Sequence, residues 1–188
     1  DKAVVYYRNA VASDTSKSLL RHDLADLYWC LGSYDKAEAV LKECLAQENS
    51  KPEDLQGTLN KVKTMLMLAK VHKSANDIKA AIDDLIQARV FQSLVLNKIR
   101  GEQVDTIYKE RNNAASICYQ LGEFYNEQRS HEKASTYFNE ALKHDQTHEK
   151  SMLALAKLYL HKREYDGSEQ QCQALLQVDP ANVEAVMM

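Results

Sequence analysis

Glycine and proline are scarce in this chain, at 5 and 2 of 188 residues. Sheet proteins spend both at their many turns, so their scarcity argues against an architecture of short strands. Neither sign of charge is in excess: the net charge is -3, which leaves no electrostatic case for nucleic acid as a partner. No apolar run approaches the roughly 18–20 residues needed to cross a bilayer, so direct membrane insertion is not expected. No secretory leader is visible, and the chain opens on Asp1 rather than Met, which reads as a section of a longer protein. The 4 cysteines, Cys30, Cys44, Cys118 and Cys172, form no C-x-x-C pair. Small apolar fillers in a reducing compartment is the expectation for them. Gly-rich phosphate loops, nucleophile elbows and paired-carboxylate motifs are missing too, so neither catalysis nor a cofactor is expected.

What is present is the composition of packed helices. Leu, Ala, Lys, Glu and Gln dominate, and 45% hydrophobic with 27% charged residues suits a folded core rather than a disordered chain. The order within that composition is a repeat. A step of 34 residues carries Ala134 to Ser168, and Leu121, Tyr125, Phe138, Ala141 and Leu142 to Leu155, Tyr159, Cys172, Leu175 and Leu176. Helix–turn–helix units of that period, with W-x2-L-G-x2-Y, A-x3-F and P patterning, are the tetratricopeptide signature. Its closing proline stands in "QVDPANVEA" as Pro180. The same frame recurs at Leu24, Ala25 and Tyr28 with Tyr34, Ala37, Leu41 and Cys44. It recurs again at Leu68, Ala69 and His72 with Ile78, Ala81, Leu85 and Ala88, and a half-copy holds Ala3, Tyr7 and Ala10.

The frame explains an oddity, Gly122 in a stretch rich in helix formers. A glycine inside a helix costs roughly 1 kcal/mol relative to alanine, so a very small side chain is required there. Ala25, Ala69 and Ala156 hold the equivalent place on the other first helices, and Ala37, Ala81, Ala134 and Ser168 hold one on the second helices. Small residues at these places let the neighbouring helix approach while large ones fill the adjoining holes.

Two spacings break the period. From Ala37 to Ala81 is 44 residues, and the excess is "QENSKPEDLQG", a loop with a short helix extension. From Ala81 to Ala134 is 53 residues. There "ARVFQSLVLNKIR" carries Val90, Leu94, Leu96 and Ile99 on a broad apolar stripe, Gly101 breaks the helix, and Val104, Ile107 and Tyr108 resume at helical spacing. The fold class expected is therefore all-α: a right-handed superhelical tetratricopeptide solenoid of about four helix pairs with flanking half-repeats, and an elongated helical hairpin near residues 88–112. One array is expected over 1–188, divided as 1–14 (half-repeat), 18–50, 58–100 (extended), 103–146 (extended), 148–180, and 181–188 (the start of another repeat).

The most metal-like string is "HDQTH" at 144–148. Two His four apart on a helix can share an ion, but the frame places this string at a turn, so a solvated turn and no metal is expected. Docking residues are better sought on the concave face, which first helices line in such arrays. Those positions hold His22, Asp26, Trp29, Lys63, Lys70, Lys73, Tyr119, Glu123, Lys150 and Lys157. Trp29, the only Trp, reads equally as an interface anchor or as packed on its own neighbouring helix. Lys63, Lys70 and Lys73 suit an acidic segment, though a run of like charge is more often a plain solvated face. The Lys/Asn clamp of co-chaperone tetratricopeptide domains is excluded, because His22, Asp26 and Met67 stand where it needs Lys, Asn and Asn.

In whole stretches, "YDKAEAVLKECLAQE", "LAKVHKSANDIKAAIDDLIQAR" and "SMLALAKLYLHKREYDGSEQQCQALLQVDPANVEA" resemble the tetratricopeptide repeat protein 21 family. The resemblance covers essentially the whole chain, including both out-of-period insertions. It implies no catalytic residues. It implies a scaffold subunit of intraflagellar transport complex A, acting in retrograde ciliary transport and ciliary membrane-protein delivery. Its partners would be the other subunits of that complex, and its place the cilium, basal body and cytoplasm. The alternative is a tetratricopeptide adaptor that binds a peptide segment of a non-ciliary partner.

Overall fold

The computed structural model describes residues 2–13, 18–49 and 54–188. Every regular element among them is an α-helix: α1 (Lys2–Ser13), α2 (Ser18–Cys30), α3 (Tyr34–Asn49), α4 (Leu55–Ser74), α5 (Ile78–Lys98), α6 (Val104–Glu127), α7 (His131–His144), α8 (Glu149–His161), α9 (Tyr165–Val178) and α10 (Val183–Met187). The chain forms two compact units, Asp1–Lys98 with α1–α5 and Ile99–Met188 with α6–α10. In the first, each helix packs on the next and α2 also reaches α4; in the second, α6 to α10 pack in chain order. An amphipathic helix of 13 or so residues is marginal alone, so this pairing supplies the stability that local propensity does not.

The tight connections share one backbone design that the side chains conceal. Among the described residues four have positive φ: Gly32 (70°), Asn76 (63°), Arg129 (57°) and Arg163 (61°). Each lies seven positions after the small residue of its first helix (Ala25, Ala69, Gly122, Ala156). The following amide then reaches back five residues: Ser33 to the Tyr28 carbonyl, Asp77 to His72, Ser130 to Tyr125 and Glu164 to Tyr159, all at 2.8–2.9 Å. This left-handed residue with a 6→1 bond is the Schellman ending of a helix. It closes α2, α4, α6 and α8 identically and turns the chain at once into α3, α5, α7 and α9.

The small-residue places are interior as expected. Ala25, Ala37, Ala81, Ala134 and Ala156 are fully buried, and Ala69 and Ser168 nearly so. At Gly122 the reason is visible. A Cβ there would lie 2.4 Å from Cε1 and 2.5 Å from Cδ1 of Phe138, inside the ring's van der Waals shell. Phe138 itself is completely buried, among Ala134, Leu155, Leu158, Tyr119 and Tyr125.

The out-of-period stretches become helix length. Residues 50–53, with Pro52, lie outside the described residues. Asp54, which follows, caps α4 by accepting from the Gly57 amide at 2.6 Å. Helices α4 and α5 then run 20 and 21 residues against 13 and 16 for α2 and α3. Lys98, at the end of α5, donates to Thr58 Oγ1 at 2.8 Å and so ties the extension down. Gly101 lies in the break, and α6 continues for 24 residues from Val104.

Three expectations need correction. The expected stripe is only partly the buried face: Ile99 is 1% exposed and Leu96 half-buried, but Val90 is 46% and Leu94 37% exposed, and Val104 and Tyr108 on α6 are exposed as well. Ala81, Leu85 and Ala88 are interior as expected, and the face continues at three- and four-residue steps through Gln92 and Val95, where buried Gln92 hid it from an apolar count. Cys30 is exposed rather than a filler, because it is the last residue of α2; Cys44, Cys118 and Cys172 are buried. The "HDQTH" turn is not solvated throughout. Asp145 and His148 are only 7% and 8% exposed, because each side chain folds back into hydrogen bonds made at the helix ends.

Candidate protein-interaction surface

In the first unit the structure brings Asp26, Trp29 and Lys70 together. Asp26 and Trp29 lie on the outer side of α2, three residues apart, and Lys70 crosses to them from α4. Its ammonium sits 2.9 Å from Asp26 Oδ1 and 3.4 Å from the centroid of the indole ring. The indole N–H of Trp29 donates to Ser74 Oγ at 2.8 Å. Trp29 is half-buried and satisfied on both its face and its edge by its own chain, and it fastens the end of α2 to the end of α4. Lys63 and Lys73 are exposed on α4.

His22 belongs elsewhere. At 2% exposure it is a core residue and offers nothing to a partner. Thr64 donates its hydroxyl to the Asn60 carbonyl at 2.8 Å, which leaves Thr64 Oγ1 to accept from His22 Nε2 at 2.8 Å. Burial, aided by the nearby Lys63 charge, lowers the His22 pKa to about 4, so the ring is neutral at neutral pH. His72 shows the opposite balance. Its Nδ1 lies 2.6 Å from Asp84 Oδ2 and its Nε2 3.4 Å from Glu38 Oε1. Burial pulls its pKa down, but Asp84 and then Glu38 outweigh that and raise it. The two ring nitrogens of His72 on α4 therefore join Asp84 on α5 and Glu38 on α3.

In the second unit Tyr119 and Glu123 are one turn apart on α6 and interact with each other. Burial first, then the Glu123 charge and hydrogen bond, push the Tyr119 phenol up to about 12. Its ring leans on Phe138 at 5.8 Å and His148 at 5.7 Å between centroids. Lys150 and Lys157 are exposed on α8, and Lys157 pairs with Glu184 of α10. Lys150 borders a cleft of about 460 Å³ lined by Tyr108, Asn112, Ser116, Asp145, Thr147, His148, Glu149 and Val178.

The polar floor of that cleft was not foreseen. Asp145 Oδ1 accepts from the Thr147 amide at 2.9 Å and its hydroxyl at 2.7 Å, while Oδ2 accepts from Asn112 at 2.8 Å. Burial raises the Asp145 pKa, but these bonds outweigh it and hold the carboxyl ionised. His148 has its Nδ1 2.8 Å from Ser151 Oγ, and burial keeps its pKa low. An Asp followed two residues later by Thr at a helix end is the one sequence sign of this arrangement. His144 and His148 do not converge on a metal. Among the described residues, His144 instead lies with Cys118 and Glu140, the ligand atoms of all three within 4.8 Å of one another. No described helix is long and apolar enough to cross a membrane.

Helix pairs closed by a repeated turn, with charged and aromatic side chains displayed on their first helices, define a tetratricopeptide-repeat protein. Solved structures agree on that fold. BtubC from P. vanneervenii superposes with a TM-score of 0.69 at 18% identity, over 95% of this chain and 70% of that one. MamA superposes with 0.67 at 17% identity, over 95% and 87%. Residues 1–142 match the family model for the fourth ARM domain of tetratricopeptide repeat protein 21. The chain is 38% identical over 180 residues to tetratricopeptide repeat protein 21B of Homo sapiens, covering 96% of this chain and 13% of that protein. It is 35% identical over 187 residues to tetratricopeptide repeat protein 21A of Mus musculus, covering 100% and 14%. The chain belongs to the tetratricopeptide repeat protein 21 family, and it spans 13–14% of the length of these relatives. Family and fold together support a protein-interaction scaffold.

Proposed function

We propose that this chain is a non-catalytic segment of the scaffold subunit of intraflagellar transport complex A, acting in retrograde ciliary transport and in delivery of membrane proteins to cilia. Family membership is the observation that carries the reading, since the match runs through both out-of-period insertions. The site chemistry agrees with it. Asp26, Trp29 and Lys70 are tied to one another, Tyr119 to Glu123, and Lys157 to Glu184, an arrangement that displays surface rather than activates a nucleophile. The partners are other subunits of that complex, which dock on groove and edge side chains such as Lys63, Lys73 and Lys150 through several modest contacts. The place of action is the cilium, its basal body and the cytoplasm.

Cross-linking mass spectrometry on the full-length protein captured from ciliated cells tests this. Links from Lys63, Lys70, Lys150 or Lys157 to other transport-complex subunits are expected. A different protein on the same lysines, with those subunits absent, would leave the fold standing, overturn the ciliary assignment and favour an adaptor for a non-ciliary peptide.

A further inference from the structure

The second unit brings three different metal-ligating side chains to one point. Cys118 projects from α6 and is fully buried. Glu140 and His144 project from α7, one helical turn apart and therefore on one face, and both are half-buried. The sulfur, one carboxylate oxygen and one imidazole nitrogen all lie within 4.8 Å of one another. Ala115 and Ala141, both fully buried, pack with Cys118 in one core cluster.

The repeat supplies an internal comparison. In register, Cys118, Glu140 and His144 correspond to Arg21, Glu43 and Gln47 on α2 and α3. They correspond to Met65, Gln87 and Phe91 on α4 and α5, and to Met152, Ala174 and Val178 on α8 and α9. Two of the four helix pairs fill this layer with a methionine and uncharged neighbours. The α2–α3 pair fills it with an organic cation: the Arg21 guanidinium, 1% exposed, lies 3.6 Å from Glu43 Oε1, which also accepts from Gln47. The α6–α7 pair keeps the carboxylate, as Glu140, replaces the arginine by a much shorter thiol, and turns the third position into an imidazole.

We infer that Cys118, Glu140 and His144 bind a single zinc-class divalent cation between α6 and α7, which takes in this pair the place that the Arg21 guanidinium takes between α2 and α3. The donor set selects the metal. Sulfur, nitrogen and oxygen together suit zinc or cobalt, whereas magnesium and calcium want oxygen alone. A tetrahedral ion holds its ligand atoms about 3.5 Å apart, so side-chain rotation of about 1 Å closes the site without moving a helix. Three protein ligands leave the fourth position to water, on the solvent side where Glu140 and His144 are half-exposed. Binding releases the thiol proton to solvent and leaves a thiolate on the metal, so uptake strengthens as pH rises. Such an ion ties α6 to α7, and the inference stands whichever partners the chain docks.

Titration of the chelator-treated chain with cobalt chloride tests it, read by the sulfur-to-cobalt charge-transfer band and the visible bands of a four-coordinate ion. One equivalent is expected to saturate both, zinc sulfate to displace the cobalt, and zinc to raise the melting temperature. The bands should survive Cys30→Ser, which removes the exposed thiol, and vanish in Cys118→Ser. Absence of the charge-transfer band in the parent chain, its loss in Cys30→Ser, or its retention in Cys118→Ser overturns the site. Should Cys118→Ser fail to fold, the half-exposed His144→Gln decides: weakened visible bands support the site, and unchanged bands overturn it.

Discussion

The α2–α3 and α6–α7 pairs occupy the same register 97 residues apart, and they solve the same packing problem with different residues. Between α2 and α3, Ala25 and Leu41 are both fully buried. Between α6 and α7, the corresponding residues are Gly122 and Phe138, with the phenyl ring lying where any Cβ on Gly122 would be. The helical side gives up a methyl and the facing side gains a ring. What the repeat preserves is a combined volume, not an identity at either place. The next layer shows the same freedom with polar groups, since His22 in one pair is Tyr119 in the other. Each is largely buried, and each is held by a hydrogen-bonding neighbour, Thr64 for the first and Glu123 for the second.

That contrast can be broken at several points. Removing the ring by Phe138→Ala should destabilise by about 3–5 kcal/mol, toward the top of the range for large-to-small core changes. A melting temperature unchanged from the parent would refute the shared register. Acid should separate the pairs next. The unfolded His22 binds a proton near pH 6.5 and the folded one only near pH 4, so the unfolded chain holds more protons between those values and stability falls as pH falls through them. The full loss is of order 3 kcal/mol, and His22→Gln should flatten that part of a denaturation-versus-pH curve. His72 works in the other direction. Its raised pKa gives stability that is complete below about 6.5 and lost as pH rises through the folded value, so His72→Gln should remove a decline on the alkaline side.

Smaller effects sharpen the volume rule itself. Gly122→Ala should cost about 1–3 kcal/mol despite alanine's better helix propensity, because the ring must move. Adding Phe138→Leu imports the Ala/Leu pairing of α2–α3 and should recover much of that loss. A double-mutant cycle with no coupling energy would show that the two sites do not share one hole. At the turns, Gly32→Ala should cost about 1 kcal/mol and Arg129→Gly should gain up to about 1 kcal/mol, both read from denaturant midpoints. Equal responses would mean that the two left-handed positions are not equivalent.

Phe138, Leu155 and the small residues were legible because helical periodicity and burial are both written in apolar side chains. The α5 interior was legible through Ala81, Leu85 and Ala88 but not beyond, since Gln92 occupies a core position and Val90 and Leu94 offered a more apolar face that points outward. The left-handed turn was equally hidden: Gly, Asn, Arg and Arg share a backbone conformation and no side-chain property. Of the candidate docking residues, Asp26, Trp29 and Lys70 were named singly, yet their mutual contacts depend on how α2 meets α4. His22 was misplaced because a first-helix position that lines a groove in one array can turn into the core of another. Cys118 with Glu140 and His144 escaped for a related reason, since a ligand set divided between two helices has no local spacing to betray it.

The tryptophan contact has a spectroscopic consequence. Trp29 is the only such residue of the chain, so indole emission originates wholly within Asp1–Lys98, and the Ile99–Met188 unit is dark at that wavelength. With an ammonium 3.4 Å from its ring centroid and a hydroxyl on its N–H, the fluorophore senses both contacts that join α2 to α4. Its emission therefore times the parting of those two helices while circular dichroism counts every helix. The gap between the two signals during unfolding measures how independently the two halves of the chain come apart.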